Sequence, residues 1–548
     1  MLDLKSIYFY FLAIQISTIK FLKKTYFRTN FYNNSLKSDI PKQFYFNPNS
    51  FLLSSFTRHE NFSFNISNRE PEKFWVNNTN SNDNGNLHNF LWLNLIDRKN
   101  DGSSLRRIIS LWIANNNNYK PDVWTSSILS MRIISWIINS DIILSGKNFS
   151  FKKEFMETIV KQTNHLKKNF KFETEELKKI ENLTAILLSG LVFKEYKENF
   201  DFANKELKKL ISNFFDDDGF PLTRNPNDLI LFSKYFIIIK ECIKDAQYYI
   251  PDFLEEIIEK NVNCLKTITT SNYKMPLFNG ATEVNLENYY NYLLNLNFKI
   301  KKLKENIGGI QVLKNKRDVV FFDTGQPPQR NYSYNYQCGP LSFEYYSDGD
   351  KIISNCGYGS RISRKAALLS RLTSAQSSLC INDTSVIKFE RSKLLNKVFG
   401  NSLKGNFKVN SINILNNEFE VSVNASHNAY LKNFGYIHER KIKLNKENNS
   451  LNGTDKLVKK KDGVNQKFTI RFHLYPGISA VQTMGGENVL IHVGKNKSLV
   501  FSSNADALAI EKSIFLGGNK ILNNLCITIS GILMNEDKEI NWEIKKNI

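Results

Sequence analysis

Two pairs of side chains have the types and spacing that acid–base or anion-binding chemistry needs. His427 and Tyr430 lie three residues apart in the segment SHNAY, and a histidine exchanges protons near neutral pH while a tyrosine can donate one. Arg132 and Trp136 lie four residues apart, on one face of a helix, where they could clamp an anion beside a stacking ring. Structural interpretations stay open for all four: a histidine bonded to a strand-edge carbonyl, an edge aromatic, and core packing around a snorkelling arginine.

The hydrophobic pattern of the sequence changes from helical to strand-like near residue 305. Before it, apolar residues recur at helical spacing, for example in 105–115, 155–168 and 229–244, which predicts helices in antiparallel pairs and hence an α/α solenoid or toroid. After it, short β-branched and aromatic runs alternate with Gly, Asn and Asp turns, which predicts a large antiparallel sandwich. At 548 residues the chain is also too long for one hydrophobic core.

The composition is that of a soluble globular protein with a basic surface. Hydrophobic residues make up 41% and charged residues 23%, which excludes a disordered chain. The excess of 74 Lys and Arg over 53 Asp and Glu favours polyanions such as acidic polysaccharide, nucleic acid or anionic lipid, although Lys-, Asn- and Ile-rich composition explains much of it. Six cysteines show no CxxC or zinc-finger spacing, so we expect buried free thiols.

The N-terminal segment 1–40 contains a short apolar run at 6–19, SIYFYFLAIQISTI. A run of about 14 residues is short of the roughly 20 that span a bilayer. Lysines follow the run more than they precede it, and no small-residue cleavage site appears, which is the wrong pattern for a secretory signal. An interfacial helix and a degenerate signal are both open, and the first would allow peripheral association with a membrane.

The stretch 339–385, GPLSFEYYSDGDKIISNCGYGSRISRKAALLSRLTSAQSSLCINDTS, resembles the signature of the heparinase II/III family of polysaccharide lyases. Similar segments occur in order through both halves of the chain: WTSSILSMRIISW, DGFPLTRNP, PLFNG, SHNAY, HER, LNGTD and RFHLYP. The resemblance implies an α+β multidomain protein with an incomplete (α/α) toroid at 41–304 and a large antiparallel β-sandwich at 305–548. A glycan cleft is expected where the two domains meet.

The resemblance further implies a carbon–oxygen lyase that cleaves an acidic, uronate-containing polysaccharide by β-elimination. A cation or amide must neutralise the uronate carboxylate, a base must remove the C5 proton, and an acid must protonate the departing O4 oxygen. In this family an Asn and a Tyr from the helical domain and two His from the β domain fill these roles.

The catalytic positions carried over from the family are Gln376, His427 and Tyr430. The histidine of the family pattern R-x-T-A-A-H-S-T falls on Gln376, which cannot take a proton near neutral pH, and a second family histidine falls on Gln337. His427 matches the other β-domain histidine, with Tyr430 as the acid. The helical tyrosine falls near Asp228 and is missing.

The predicted substrate-binding residues are Arg132, Trp136, Asn182, Arg371 and Glu344. Asn182 would supply the carboxylate-binding amide and Arg371 the cation of the motif, with Glu344 as a salt-bridge partner of Arg371. We also expect His427, Tyr430 and Arg132 to line one cleft. His438 and His473 are expected to be structural. No cofactor is expected, although the family leaves a zinc or other divalent ion at His473 open.

The sequence leaves three functions open. The first is a lyase-like protein acting on an acidic polysaccharide, and the second is a glycan-binding or envelope-assembly protein on the same scaffold, which the two glutamines favour. A nucleic-acid binder ranks last, because no basic patch is interleaved with stacking aromatics. The family suggests the cell envelope or periplasm, with the cytoplasm as the alternative, and the sequence does not identify the sugar.

Overall fold

A computed structural model describes residues 4–57, 71–78, 87–99, 102–146, 148–298, 304–494 and 497–546. Within these ranges the first half of the chain is helical and the second half is built from strands. The helices of the first half are Leu4–Tyr26, Asn30–Ser35, Ser54–Thr57, Pro71–Asn78, Gly102–Asn116, Ser126–Ile138, Ser140–Ile143, Phe149–Asn169, Glu176–Val192, Lys197–Phe214, Pro226–Asp245, Asp252–Thr267 and Glu287–Asn295. None of these described helices combines the length and the apolar character that crossing a membrane requires.

The helical half is held together by an aromatic and aliphatic core. Trp112 and Trp136 meet edge to face with ring centroids 5.3 Å apart, and Phe90 packs on both. Helices Glu176–Val192 and Lys197–Phe214 approach closely at Gly190, where a Cβ atom would lie 2.4 Å from the Phe200 backbone nitrogen. Only glycine permits that approach.

The second half contains nineteen strands among the described residues. They are β1 Asn306–Ile307, β2 Ile310–Lys314, β3 Asp318–Asp323, β4 Phe343–Ser347, β5 Asp350–Ser354, β6 Leu379–Ile381, β7 Lys388–Phe389, β8 Leu403–Lys404, β9 Val409–Asn416, β10 Glu420–His427, β11 Tyr436–Asn445, β12 Leu451–Lys459, β13 Gln466–Leu474, β14 Ser479–Gln482, β15 Asn488–Val493, β16 Lys497–Ser503, β17 Ala507–Phe515, β18 Leu522–Leu533 and β19 Lys538–Lys546. Short helices Arg364–Leu369, Lys393–Phe399 and Leu431–Phe434 interrupt them.

Two large antiparallel sheets face each other. The first has the order β1-β2-β3-β4-β5-β13-β18-β17 with β6 beside β13, and the second has the order β14-β15-β16-β19-β12-β11-β10-β9. Aromatic rings join the sheets: Phe343 of the first stacks on Trp542 of the second at 5.3 Å, and Phe472 meets Phe501 at 4.9 Å. This apolar interior identifies a β-sandwich.

Direct contacts fix the helical half against the first sheet. Arg224 forms a buried ion pair with Asp323 at 2.6 Å, and its Nε donates to the Gly308 carbonyl. The Tyr346 hydroxyl donates to the Met275 carbonyl. Residues 299–303, at the end of the predicted 41–304 domain, lie outside the described ranges, and the division at 40 and 304 stays a prediction.

Candidate functional site

Four polar side chains lie near one another where the helix Pro226–Asp245 begins beside the loop between β3 and β4. We call Asp228, Tyr334, Asn335 and Tyr358 the junction cluster. The Tyr358 hydroxyl donates to Asn335 Oδ1 at 2.7 Å. The half-buried Asp228 carboxylate accepts from the Thr223 hydroxyl at 2.5 Å. The cluster therefore combines groups from both halves of the chain.

The start of the helix Pro226–Asp245 positions Asp228. Asn225 is the N-cap residue and its side chain accepts from the Asn227 backbone N–H at 3.0 Å, with Pro226 in the first helical turn. The Asn225 amide also donates to Asp228 Oδ1 at 3.3 Å. The Asp228 carboxylate is thus held at the helix end that faces the β half.

The carboxyl group and the phenol groups of the cluster differ in their protonation state at neutral pH. Burial raises the pKa of Asp228 to about 6. Burial also raises the pKa of Tyr334, and the carboxylates of Asp228, Glu175 and Glu176 raise it further. The cluster thus offers an ionised carboxylate and a protonated phenol within electrostatic reach of each other at neutral pH, a combination that suits a base and an acid.

Gly280 brings the end of the helical half against the cluster. Its φ is +101°, and a Cβ atom there would lie 2.7 Å from the Asn335 side chain. The Gly280 N–H donates to Gln337 Oε1 at 3.1 Å, and the Gln337 amide donates to the Gly357 and Ser370 carbonyls. Gln337 therefore supports the loops beneath the cluster.

Gln376, a predicted catalytic residue, is buried next to Gln337. Its amide donates to the same Ser370 carbonyl at 2.8 Å and to the Leu372 carbonyl at 3.3 Å. With the side chain 1% exposed, Gln376 presents no open face to a ligand. In this structure it fixes a loop.

A separate cavity of about 360 Å³ opens between residues 272–287 of the helical half and Lys351 and Tyr475 of the β half, and none of the four cluster residues lines it. Tyr475 and Glu283 lie in its wall, joined by a 2.6 Å hydrogen bond, and Lys274 lies over the Tyr475 ring. Arg361 connects this wall to the segment that carries Tyr358. Its guanidinium donates to the Glu283 carbonyl, and Arg361 lies three residues after Tyr358 in the sequence. The volume is typical of small-ligand sites.

His427 lies inside the sandwich, in a chain of hydrogen bonds. The Ala429 N–H donates to His427 Nδ1 at 3.2 Å, so His427 Nε2 carries the proton and donates to His438 Nδ1 at 3.1 Å. His438 Nε2 in turn donates to Asp455 Oδ1 at 2.6 Å, and Arg440 binds both Asp455 oxygens. Burial lowers the pKa of both histidines, which keeps them neutral.

The expectation that His427, Tyr430 and Arg132 line one cleft is wrong. The buried Tyr430 hydroxyl donates to the Leu379 carbonyl at 2.6 Å, within the sandwich. Arg132 is buried in the helical half, where it stacks over Trp112 at 4.4 Å. The three side chains therefore occupy two separate cores.

Arg132 and Trp136 follow the core-packing interpretation instead of forming an anion clamp at a surface. The Arg132 guanidinium donates to Gln162 Oε1 and to the His88 and Val123 carbonyls. Trp136 is 0% exposed. Spacing placed both on one helical face, and that face points inward.

The other predicted substrate-binding residues are also engaged within the protein. Asn182 Oδ1 accepts from the hydroxyls of Ser126 and Ser130 at 2.8 and 2.7 Å. Arg371 donates to three backbone carbonyls, those of residues 333, 336 and 401. Glu344 pairs with Lys351 at 2.9 Å and not with Arg371, which corrects the predicted salt bridge.

The described residues do not form a metal site. No group of three His, Cys, Asp or Glu side chains in that part of the chain could hold an ion. His473 Nε2 donates to the Ser374 carbonyl at 3.0 Å, and its Nδ1 faces the Ser513 hydroxyl. A zinc ion at His473 therefore does not fit the surrounding donors. The six cysteines are free and buried, as expected.

Buried neutral histidines predict loss of stability in acid. Burial lowers the pKa of His88 to about 4, of His165 to about 3 and of His473 to about 4, from the ordinary 6.5. The unfolded chain therefore binds more protons in this window, so stability is complete above about pH 6.5 and falls as pH drops toward 4. Asp228 has the opposite effect: because its pKa is raised to about 6, this one group adds stability as the pH falls through that value.

Urea unfolding midpoints between pH 7.5 and 4.5 check this prediction. His88→Gln keeps an acceptor for the Trp112 indole N–H, which now donates to His88 at 2.9 Å, and should flatten the pH dependence. A midpoint that stays constant or rises toward pH 4.5 would contradict it.

The comparisons with known proteins agree with this architecture. Residues 305–543 match the family model described as heparinase II/III-like, C-terminal. The fold is similar to heparan sulfate lyase HepC from Pedobacter heparinus, with TM-score 0.65 and 13% identity over 90% of this chain and 87% of that one. It is also similar to two heparinase III structures. The first has a TM-score of 0.67 and 12% identity over 91% of this chain and 83% of that one. The second has a TM-score of 0.64 and 15% identity over 84% of this chain and 76% of that one.

The β half of the chain therefore carries a heparinase II/III-like C-terminal domain. The predicted order of a helical toroid followed by an antiparallel β-sandwich is confirmed. A sequence search of curated proteins finds no match.

Proposed function

We propose that the protein binds an acidic, uronate-containing glycan at the junction cluster and cleaves it by β-elimination. The observation that carries this proposal is the junction cluster itself. Asp228 of the helical half is bonded to Asn225, and Gly280 packs between Asn225 and Asn335, which accepts from Tyr358. The Asp228 carboxylate also raises the pKa of the nearby Tyr334 phenol. The sandwich of the heparinase II/III family supports it, as does the likeness of the whole fold to a heparan sulfate lyase.

The cluster supplies one group for each requirement of the reaction. The Asp228 carboxylate takes the C5 proton, the C4–O4 bond breaks as a C4–C5 double bond forms, and the Tyr334 phenol protonates the departing O4. The proton on Asp228 then returns to the Tyr334 phenolate. Asn335 accepts from Tyr358 through Oδ1, so its Nδ2 remains a donor for the uronate carboxylate. The exposed Arg361, three residues beyond Tyr358, is proposed as the cation that faces the uronate carboxylate.

Binding without cleavage is a second function that one observation favours. Gln337 and Gln376 replace the family's histidines, and their amides are engaged with backbone groups inside the protein. Neither glutamine can act as a base. A protein of this kind would hold the glycan and release it unchanged.

A panel of uronate-containing polysaccharides tests the proposal through the ultraviolet absorbance of the unsaturated product. We expect product from the wild type, a drop of at least about tenfold in Tyr334→Phe because the proton donor is lost, and no change in Tyr249→Phe, an exposed tyrosine elsewhere. Glycan binding with no product across the panel would overturn elimination and support the second function. Neither binding nor product would overturn both.

A further inference from the structure

The N-terminal helix Leu4–Tyr26 is fixed to both halves of the molecule. Near its start, Phe9 meets Phe399 at 5.9 Å and the Arg330 guanidinium lies 4.0 Å over the Phe9 ring. Near its end, Lys23 Nζ donates to Asn169 Oδ1 at 3.1 Å. These contacts hold the helix in one orientation on the surface.

The outward face of this helix carries a row of large apolar side chains. The apolar stripe consists of Ile7, Phe11, Ile14, Phe21 and Leu22, each between 52% and 70% exposed. Spacings of four, three and seven residues place them on one side of a helix. A contiguous exposed apolar surface of this kind indicates an interaction site.

Positive charge surrounds the stripe. The helix Leu4–Tyr26 contains no acidic residue, and Lys20, Lys24 and Arg28 are exposed along or just beyond it. The neighbouring helix Lys393–Phe399, which packs against it, adds exposed Lys393 and Lys397. This basic rim is complementary to an anionic surface.

We propose that the apolar stripe and its basic rim dock the protein on an anionic lipid bilayer. The helix lies in the plane of the interface with its apolar side chains among the acyl chains and its lysines at the headgroups. Pairing of two copies through the stripe would bring two basic rims together, and that repulsion disfavours a homodimer. The stripe shares no residue with the junction cluster.

Vesicle co-sedimentation of the full chain tests the proposal. We expect binding to phosphatidylcholine vesicles that contain phosphatidylglycerol, little binding to phosphatidylcholine alone, and weaker binding at high salt because screening removes the charge attraction. Phe11→Gln combined with Phe21→Gln should weaken binding at least about tenfold, since each change removes apolar burial in the bilayer. The thermal midpoint should not change, because both side chains are exposed in the free protein.

The matched control combines Val464→Gln with Met484→Gln, two exposed apolar residues of the β half, and should bind as the wild type does. Lys20→Glu with Lys24→Glu should abolish the preference for anionic vesicles. The proposal is overturned if the wild type binds neither kind of vesicle or if the stripe variant binds unchanged. A wild-type dimer that the stripe variant loses would also overturn it, in favour of a second copy as the occupant.

Discussion

Asp228→Asn is expected to lower the rate of unsaturated-product formation by about 10²–10⁴-fold, the usual contribution of a positioned general base. An amide cannot take the C5 proton, yet its oxygen can still accept from Thr223, which now donates to the carboxylate at 2.5 Å. The helix start should therefore persist, and the loss should appear in kcat more than in KM. Initial rates at saturating and limiting glycan measure both quantities.

The pH profile separates a catalytic from a structural role for Asp228. Because burial raises its pKa to about 6, the wild-type rate should rise with pH through that value as the carboxylate ionises. The residual rate of Asp228→Asn should lack this rise. Asp201→Asn, an exposed carboxylate on another helix, is the control and should keep the wild-type rate and profile. An Asp228→Asn protein with an unchanged rate and profile would show that Asp228 serves only the helix start.

Arg440→Met is expected to destabilise the protein by about 3–5 kcal/mol, because it leaves the Asp455 charge buried without its partner. Both side chains are 0% exposed, and Arg440 donates to Asp455 at 2.7 Å. Its guanidinium also donates to the Leu341 and Ser377 carbonyls. These carbonyls lie in the loops before β4 and β6 of the first sheet, whereas Arg440 lies on β11 of the second sheet. Urea unfolding at pH 7 measures the loss.

Lys441→Met is the matched control on the neighbouring position of β11, where the side chain points to solvent. It should change the free energy of unfolding by no more than about 0.5 kcal/mol. Equal stability of Arg440→Met and Lys441→Met would mean that the buried network does not hold the two sheets together.

The fold followed from periodicity, whereas the surroundings of each predicted site residue did not. In β10 and β11 a shift of one residue exchanges inside and outside, and His427 pairs directly with His438 across the two strands. In β10 the residues Val421, Val423, Ala425 and His427 alternate with polar residues, so the pattern already placed His427 on the apolar face, and its catalytic assignment came from the family resemblance alone. Arg132 and Trp136 were correctly placed on one helical face, but spacing alone does not say where that face points.

The junction cluster was missed because its members are far apart in the sequence. Asp228 begins a helix, Tyr334 and Asn335 lie in a loop, and Tyr358 follows β5. The available signal was Asp228 itself, a titratable residue near the position where the family's helical tyrosine was expected. Its raised pKa depends on burial in the folded protein, which no local sequence pattern reveals.

A crystal structure of Asp228→Asn with a bound uronate oligosaccharide would show where the reacting sugar lies. We expect a sugar ring at the junction cluster, its C5 hydrogen facing residue 228 within about 3 Å and the Tyr334 hydroxyl beside O4. A glycan bound elsewhere on the protein, or a ring whose C5 faces away from residue 228, would contradict it.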